Sequence, residues 1–349
     1  MTEPEQEYTS EDLLRLHDAD GLSWRQIAEK TGQTWDQVRT QVRKLPAYKA
    51  KRKPPQVEVV GITAAEKPDV DAIYQRAVER WHQEAELEQR RRKQVIRFDD
   101  GPVAIVAVGD LHFGADGTDY PRAFREAEII RDTPGMYAIM AGDAVDNFIM
   151  GRLIALNIHG HITVDEGWVL FTRWIEVIHE KLLLVVGGNH DNWTWALAGI
   201  DYVREKTAEH APATIYDKDD ARVTIQVGDV RWPGRIRHKW LGKSIYNATH
   251  GIERAARFDQ DFVWGIGAHD HRCGVARGFK AAGRSCMAVM CGTYKRIDDY
   301  ARQGGYPMAN ESTAIATVFD PESGSMTGFE SLEFAAEFMG RVYEKEPDA

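Results

Sequence analysis

Cysteine is scarce in this chain of 349 residues: Cys273, Cys286 and Cys291 are an odd number without paired metal spacing. A disulfide framework is thereby excluded, and free thiols in a reducing compartment are expected. Long apolar runs are scarce too. The longest, such as residues 103–108 and 182–186, fall far short of the roughly 20 residues that a membrane span requires, so no transmembrane helix is expected. The opening Met1-Thr-Glu-Pro-Glu-Gln-Glu is acidic where a secretory signal is basic and then apolar, which reads as a cytoplasmic protein. Positive charge is in deficit, with 44 Lys and Arg against 54 Asp and Glu and a net charge of −10. That excludes wholesale coating of a nucleic acid but not a local basic face.

A local basic face is present. Residues 39–53 hold Arg39, Arg43, Lys44, Lys49, Lys51, Arg52 and Lys53 and no acid. Pro54-Pro55 ends the stripe, and the stretch to Pro68 has no helical periodicity, as in a linker. Residues 70–92 then run without Gly or Pro, with Val70, Ile73, Ala77 and Trp81 at helical spacing, which predicts a connecting helix. From residue 95 short β-rich runs alternate with amphipathic helices, the pattern of an α/β domain. The organisation expected is a small all-α domain at 1–50, a linker with its helix at 51–94, an α/β domain at 95–335 and a tail at 336–349.

Within the first segment, residues 11–18 carry Leu13, Leu14 and Leu16, while Ser23-Trp-Arg-Gln26 and Thr34-Trp-Asp-Gln37 are capping boxes that open two more helices. Trp24, Ile27, Ala28, Trp35, Val38, Val42 and Leu45 give the three helices a shared apolar side. Ala28, Gly32 and Val38 then resemble the helix-turn-helix of DNA-binding domains, although Gln41 stands where such motifs often have an apolar residue. That resemblance implies a third helix in the major groove, with Gln37, Arg39, Thr40, Arg43 and Lys44 as contacts.

Five short blocks in the larger segment follow strands or apolar runs. They are Val103-Ala-Ile-Val-Ala-Val-Gly-Asp110-Leu-His112; Tyr137-Ala-Ile-Met-Ala-Gly-Asp143-Ala-Val-Asp146; Leu182-Leu-Leu-Val-Val-Gly-Gly-Asn189-His190-Asp191; Ala248-Thr-His250-Gly251; and Gly265-Ile-Gly-Ala-His269-Asp-His271. In extended chain alternate residues point the same way, so Asp110 and His112 can grip one ion. Each block alone is weak, because a lone Asp or His beside a strand is more often structural. Their joint order is specific.

In that order the blocks resemble the calcineurin-like metallophosphoesterases, across residues 109–271, with Ala268 inserted where the family has Gly directly before the His. The resemblance implies an α/β/β/α fold, a β-sandwich flanked by helices. It also implies two divalent ions, one held by Asp110, His112, Asp143 and His271, the other by Asp143, Asn189, His250 and His269, with Asp146 in support. The reaction implied is attack of a metal-bridging hydroxide on phosphorus. His190 would donate a proton to the leaving oxygen, with Asp191 orienting its ring and raising its pKa. Mixed N and O ligands without thiolate suit Mn²⁺, the expected ion, with Fe²⁺, Zn²⁺ and Co²⁺ compatible.

Asn147 and Asp191 stand where the Ser/Thr phosphatases of that family carry Arg and Glu, so the nuclease and cyclic-nucleotide phosphodiesterase branches fit better. The helix-turn-helix then favours DNA as partner and substrate, with no membrane association and with a homo-oligomer compatible. The alternatives are a small-molecule phosphatase or cyclic-nucleotide phosphodiesterase with a regulatory N-terminal domain, and a DNA-binding protein with a relic metal site. Arg237-His238-Lys239-Trp240 is read as a solvated basic turn, and Tyr294-Lys295-Arg296 as a minor cleft edge.

Overall fold

The computed structural model describes residues 8–51, 69–91, 94–149, 151, 160–296 and 313–344. The linker at 52–68, the basic residues Arg52 and Lys53, and the last five residues of the expected tail lie outside them. The chain divides into two compact units, Met1–Gln75 and Arg76–Ala349. No helix among the described residues is long and apolar enough to cross a membrane.

The first unit contains α1 (Ser10–Asp18), α2 (Trp24–Thr31), α3 (Trp35–Arg43) and a short α4 (Pro46–Lys51) within the expected basic stripe. Thr9, Ser23 and Thr34 each close a capping box, and Gly32 ends α2 in the left-handed conformation that a glycine adopts without strain. Leu13, Ile27, Ala28, Val38 and Val42 form the core. Trp35, expected on the apolar side, is instead 41% exposed and lies under the guanidinium of Arg39. The expected connecting helix is α5 (Val70–Arg91).

In the second unit two six-stranded sheets face each other. One has the order β1 (Gln94–Phe98), β6 (Ala221–Val227), β7 (Val230–Ile236), β8 (Trp264–Gly267), β10 (Arg284–Met290) and β9 (Gly274–Ala281). The other runs β12 (Ser325–Phe329), β11 (Ile315–Asp320), β2 (Val103–Val108), β3 (Met136–Ala141), β4 (Leu182–Val186) and β5 (Ile215–Asp217). Strands β2 to β5 pair in parallel, as do β7 with β8 and β8 with β10.

Strand β2 is apolar at every position because both its faces are covered. Val103, Ile105 and Ala107 enter the core between the sheets with Val223, Ile225, Trp264 and Ile266. Ala104, Val106 and Val108 join the outer layer formed with α6 (Tyr120–Asp132), α7 (Val164–Ile178) and α11 (Leu332–Tyr343). Strand β6 alternates buried and half-buried residues, as a strand with one packed face does. The α/β sandwich flanked by helices is therefore present, beside a helical N-terminal unit. The tail expected from 336 is corrected: those residues continue α11 to Tyr343, with Leu332, Ala335 and Met339 buried. The remaining helices are α8 (Asn189–Ala198), α9 (Tyr202–His210) and α10 (His250–Asp259).

Candidate metal centre

Parallel strands end on a common edge, where turns hold polar side chains that the apolar strands cannot carry. Here β2, β3 and β4 deliver Asp110 with His112, Asp143, and Asn189 with His190, while β7 and β8 deliver His238 and then His269 with His271. Asp110, His112, Asp143, Asn147, His269 and His271 all take left-handed φ values between 45° and 75°, six of the eight non-glycine residues described that do so. Such backbone costs about 1–3 kcal/mol per residue and persists where the surroundings enforce it. Gly188 is required by close approach: a Cβ there would lie 2.1 Å from Asp143 Oδ1. Ala268 fits because Gly109, which has no side chain, faces its methyl group.

Two ligand groups result, Asp110–His112–His271 and Asp143–His238–His269, and a third, His112–Asp143–His190, overlaps both. His112 Nε2 stands 3.1 Å from His271 Nε2, 3.7 Å from Asp110 Oδ1 and 3.8 Å from Asp143 Oδ2. The same Asp143 Oδ2 lies 3.2 Å from His238 Nε2, which is 3.0 Å from Asn189 Oδ1. Asp143 thus faces both groups. The floor of Asp110, His112, Asp143 and His238 is buried, whereas Asn189, His190, His269 and His271 are half-buried at the mouth.

The donor set fits divalent cations. Asp110 Oδ1 is buried with no hydrogen-bond partner among the described residues, an arrangement that is costly unless a cation takes the oxygen. Burial pushes the pKa of His112 down, yet Asp110, Asp146 and Asp143 outweigh it and raise it to about 10. His238 is likewise disfavoured by burial and still raised to about 9, chiefly by Asp143. The carboxylates therefore draw positive charge into a buried space.

His250 is not part of either group, which corrects its expected role as a ligand. It opens α10, exposed, and its Nδ1 donates to the Gly242 carbonyl at 3.0 Å. His238 stands at that corner instead. Its Nδ1 donates to the Ala141 carbonyl at 2.7 Å, turning Nε2 inward. The expected solvated turn therefore has two buried members, His238 and Trp240.

The expected partnership of Asp191 with the His190 ring is also corrected. Asp191 accepts the backbone N–H groups of Gly188, Asp143 and Ala144 at 2.8, 2.9 and 3.0 Å, fastening the turn before α8 to the turn after β3. Burial and the nearby Asp143 charge push its own pKa up to about 7. His190 Nδ1 donates to the Asp146 carbonyl at 2.5 Å, and burial lowers the ring's pKa rather than raising it. Asn147 Nδ2 holds the same turn through the His190 carbonyl at 2.6 Å. Trp193 packs against His190 at a tilt of 30°, with ring centroids 4.2 Å apart.

Asp146 accepts from His112 Nδ1 at 2.9 Å and from buried Lys295 at 3.0 and 3.1 Å. A carboxylate behind a ligating histidine fixes its tautomer and orientation. Lys295, expected only at a minor cleft edge, is instead buried behind His112 through Asp146, a role for which a basic residue after Cys291-Gly292 has no local signature. Its neighbours Thr293 and Tyr294 bond the Asp110 carbonyl at 3.1 and 3.0 Å.

In the first unit Thr40, Arg43 and Lys44 are exposed and Arg39 is half-buried against Trp35. The Gln37 amide oxygen accepts from Thr34 N–H at 2.8 Å, closing the cap. Of the two histidines near the β3–α7 connection, His161 pairs with Asp116 at 2.9 Å, and His159 lies outside the described residues.

No family model and no curated protein sequence matches the chain. Solved structures similar to it include Vps29 of Entamoeba histolytica complexed with Zn²⁺, at 12% identity over 65% of this chain and 97% of that one, with a TM-score of 0.32. The calcineurin-like phosphoesterase YfkN of Bacillus subtilis is 13% identical over 69% and 96%, with a TM-score of 0.34. Hypothetical protein PH1004 of Pyrococcus horikoshii is 13% identical over 69% and 97%, with a TM-score of 0.35. At such identity and overlap these likenesses assign neither activity nor ligand.

Proposed function

We propose that this chain is a dinuclear-metal-dependent phosphodiesterase of the calcineurin-like metallophosphoesterase type, acting on DNA. The observation that carries the reading is the pair of ligand groups with Asp143 facing both, whose members other than His238 come from blocks in that family's order. Asp110, His112, His271 and Asp143 would hold one ion, and Asp143, His238, His269 and Asn189 the other. Two divalent cations bound there supply positive charge for a phosphate and the acidity that activates water at neutral pH.

The chain's own residues do the rest. Asp143 is kept in place by the His190 N–H, which donates to its Oδ1 at 3.0 Å. His190, with Nδ1 committed to the Asp146 carbonyl, presents Nε2 to the centre, 3.9 Å from Asp143 Oδ2. With the ring as imidazolium, which the Asp143 and Asp146 carboxylates favour against burial, that atom would pass its proton to the departing oxygen. Asp146 and Lys295 hold His112 from behind. The choice of DNA rests on the three-helix unit with exposed Thr40 and Arg43 on α3 and Lys44 directly after it, and on the basic run from 39 to 53, and tethering to the substrate raises its effective concentration.

The test is hydrolysis by metal-stripped protein reconstituted with Mn²⁺, on single-stranded DNA, duplex DNA and bis-p-nitrophenyl phosphate. Asp143→Ala should lose both ions and all measurable cleavage. His190→Ala should keep its ions and lose about 100-fold or more in kcat. Unchanged hydrolysis by both variants overturns the site, and turnover of the small diester with DNA untouched moves the substrate to a small phosphoester.

A further inference from the structure

The loop at 241–247, between His238 and α10, exposes large apolar side chains on a backbone that is firmly held. Leu241 is 80% exposed, Ile245 76% and Tyr246 92%. His250 Nδ1 donates to the Gly242 carbonyl, and two guanidinium nitrogens of Arg272 donate to the Ser244 and Ile245 carbonyls, both at 2.9 Å. Tyr246 N–H donates to Ser244 Oγ at 3.2 Å, and Lys243 pairs with Asp270. Asp270 and Arg272 alternate with His269 and His271, so the loop is bolted to the segment that supplies two of the candidate ligands. Exposing apolar surface on an ordered loop gains nothing for folding, so a surface held in this way is one shaped for a partner.

The surrounding charge indicates which partner. Residues 237–252 contain Arg237, Lys239 and Lys243 and no acidic residue, in a chain whose net charge is −10; Lys239 is exposed, Arg237 lies 4.0 Å from Asp220 and Lys243 pairs with Asp270. An exposed aromatic face amid cations, next to a site for a phosphate, is the combination that binds single-stranded nucleic acid: bases stack on the ring while phosphates follow the positive charge. We propose that Tyr246 is a stacking platform for an unpaired base of the substrate strand, flanked by Leu241 and Ile245, a role that rests on the DNA reading above. His250 and Arg272 are its positioning residues.

The experiment compares wild type, Tyr246→Ala and Tyr246→Trp, each loaded with Mn²⁺, on a single-stranded oligonucleotide and on a series carrying one abasic nucleotide at successive positions. Tyr246→Ala should raise KM for the intact oligonucleotide about tenfold, and Tyr246→Trp should keep it near wild type. For wild type, one abasic position should raise KM by a similar factor, and in Tyr246→Ala that position should have no effect. Equal KM and equal abasic profiles in wild type and Tyr246→Ala overturn the proposal while leaving the DNA reading intact; this is the result expected if the loop seats a protein, a second copy of the chain included. Wild type that hydrolyses bis-p-nitrophenyl phosphate but cuts no oligonucleotide overturns the DNA reading, and this platform with it.

Discussion

Two histidines twelve positions apart, His238 and His250, show how little a residue's identity says about its work until its ring nitrogens are traced. His238 gives Nδ1 to a strand carbonyl and turns Nε2 toward Asp143, whereas His250 gives Nδ1 to a loop carbonyl on the exposed side. His238→Ala should therefore reduce the Mn²⁺ stoichiometry measured by titration calorimetry from two ions to one, and His250→Ala should leave it at two. The reverse pattern would restore His250 as the ligand. Asp191 makes the same point for stability. Its carboxylate satisfies three buried N–H groups, and an unsatisfied buried donor costs ~1–3 kcal/mol. Asp191→Ala should lose about 3 kcal/mol in urea unfolding, and Asp191→Asn, which keeps one acceptor oxygen, should recover part of that. Full stability in Asp191→Ala with a lower kcat would instead favour a direct action on His190.

At the scale of elements, what could be read from sequence divides along physical lines. Strands β2 and β4 were legible because burial on both faces demands unbroken apolar runs, and their end residues Asp110, Asn189 and His190 followed from them. The segment after β7 was not, because a histidine among basic residues has the same composition whether its ring faces solvent or a carboxylate. Helix α11 was missed for a related reason: Phe334, Phe338 and Val342 are exposed beside its buried stripe, which blurs the amphipathic pattern. The β7–α10 junction carries a further prediction. Arg235 on β7 donates to Asp220 through Nε at 2.8 Å and also pairs with Asp259 at the end of α10. Burial pushes Asp220 up, but the Arg235 guanidinium outweighs it and holds the carboxyl below its ordinary 3.8. A carboxyl lowered in the folded state stabilises above its unfolded pKa and loses that contribution as pH falls through the folded value. Asp220→Asn should thus cost about 2 kcal/mol at neutral pH, with the two stability curves converging in acid below the ordinary aspartate range. A difference that stays constant with pH would show that packing, not charge, is at work.

For the whole molecule the balance of charge decides how DNA could be held. A chain of net charge −10 repels a polyanion at long range, so attraction must come from places where acids are missing. One such place is the segment at 237–252 beside the candidate metal centre, where Lys239 is exposed, and the other begins on α3. Among the residues expected to contact DNA, Gln37 is committed to its cap and Arg39 to Trp35, which leaves Arg43 and Lys44 as exposed cations on or directly after α3. Phosphate contacts release counterions, and each lowers the slope of log affinity against log salt by about 0.9 on duplex DNA. Replacing Arg43 and Lys44 together by Glu should therefore weaken duplex binding and reduce that slope by about 2, read by fluorescence anisotropy at several salt concentrations. The Mn²⁺ stoichiometry should stay at two, because the ligands all come from the other unit. If affinity and slope both match wild type, the helical unit does not hold DNA through α3, and the acid-free segment beside the metal centre becomes the main anchor for the strand.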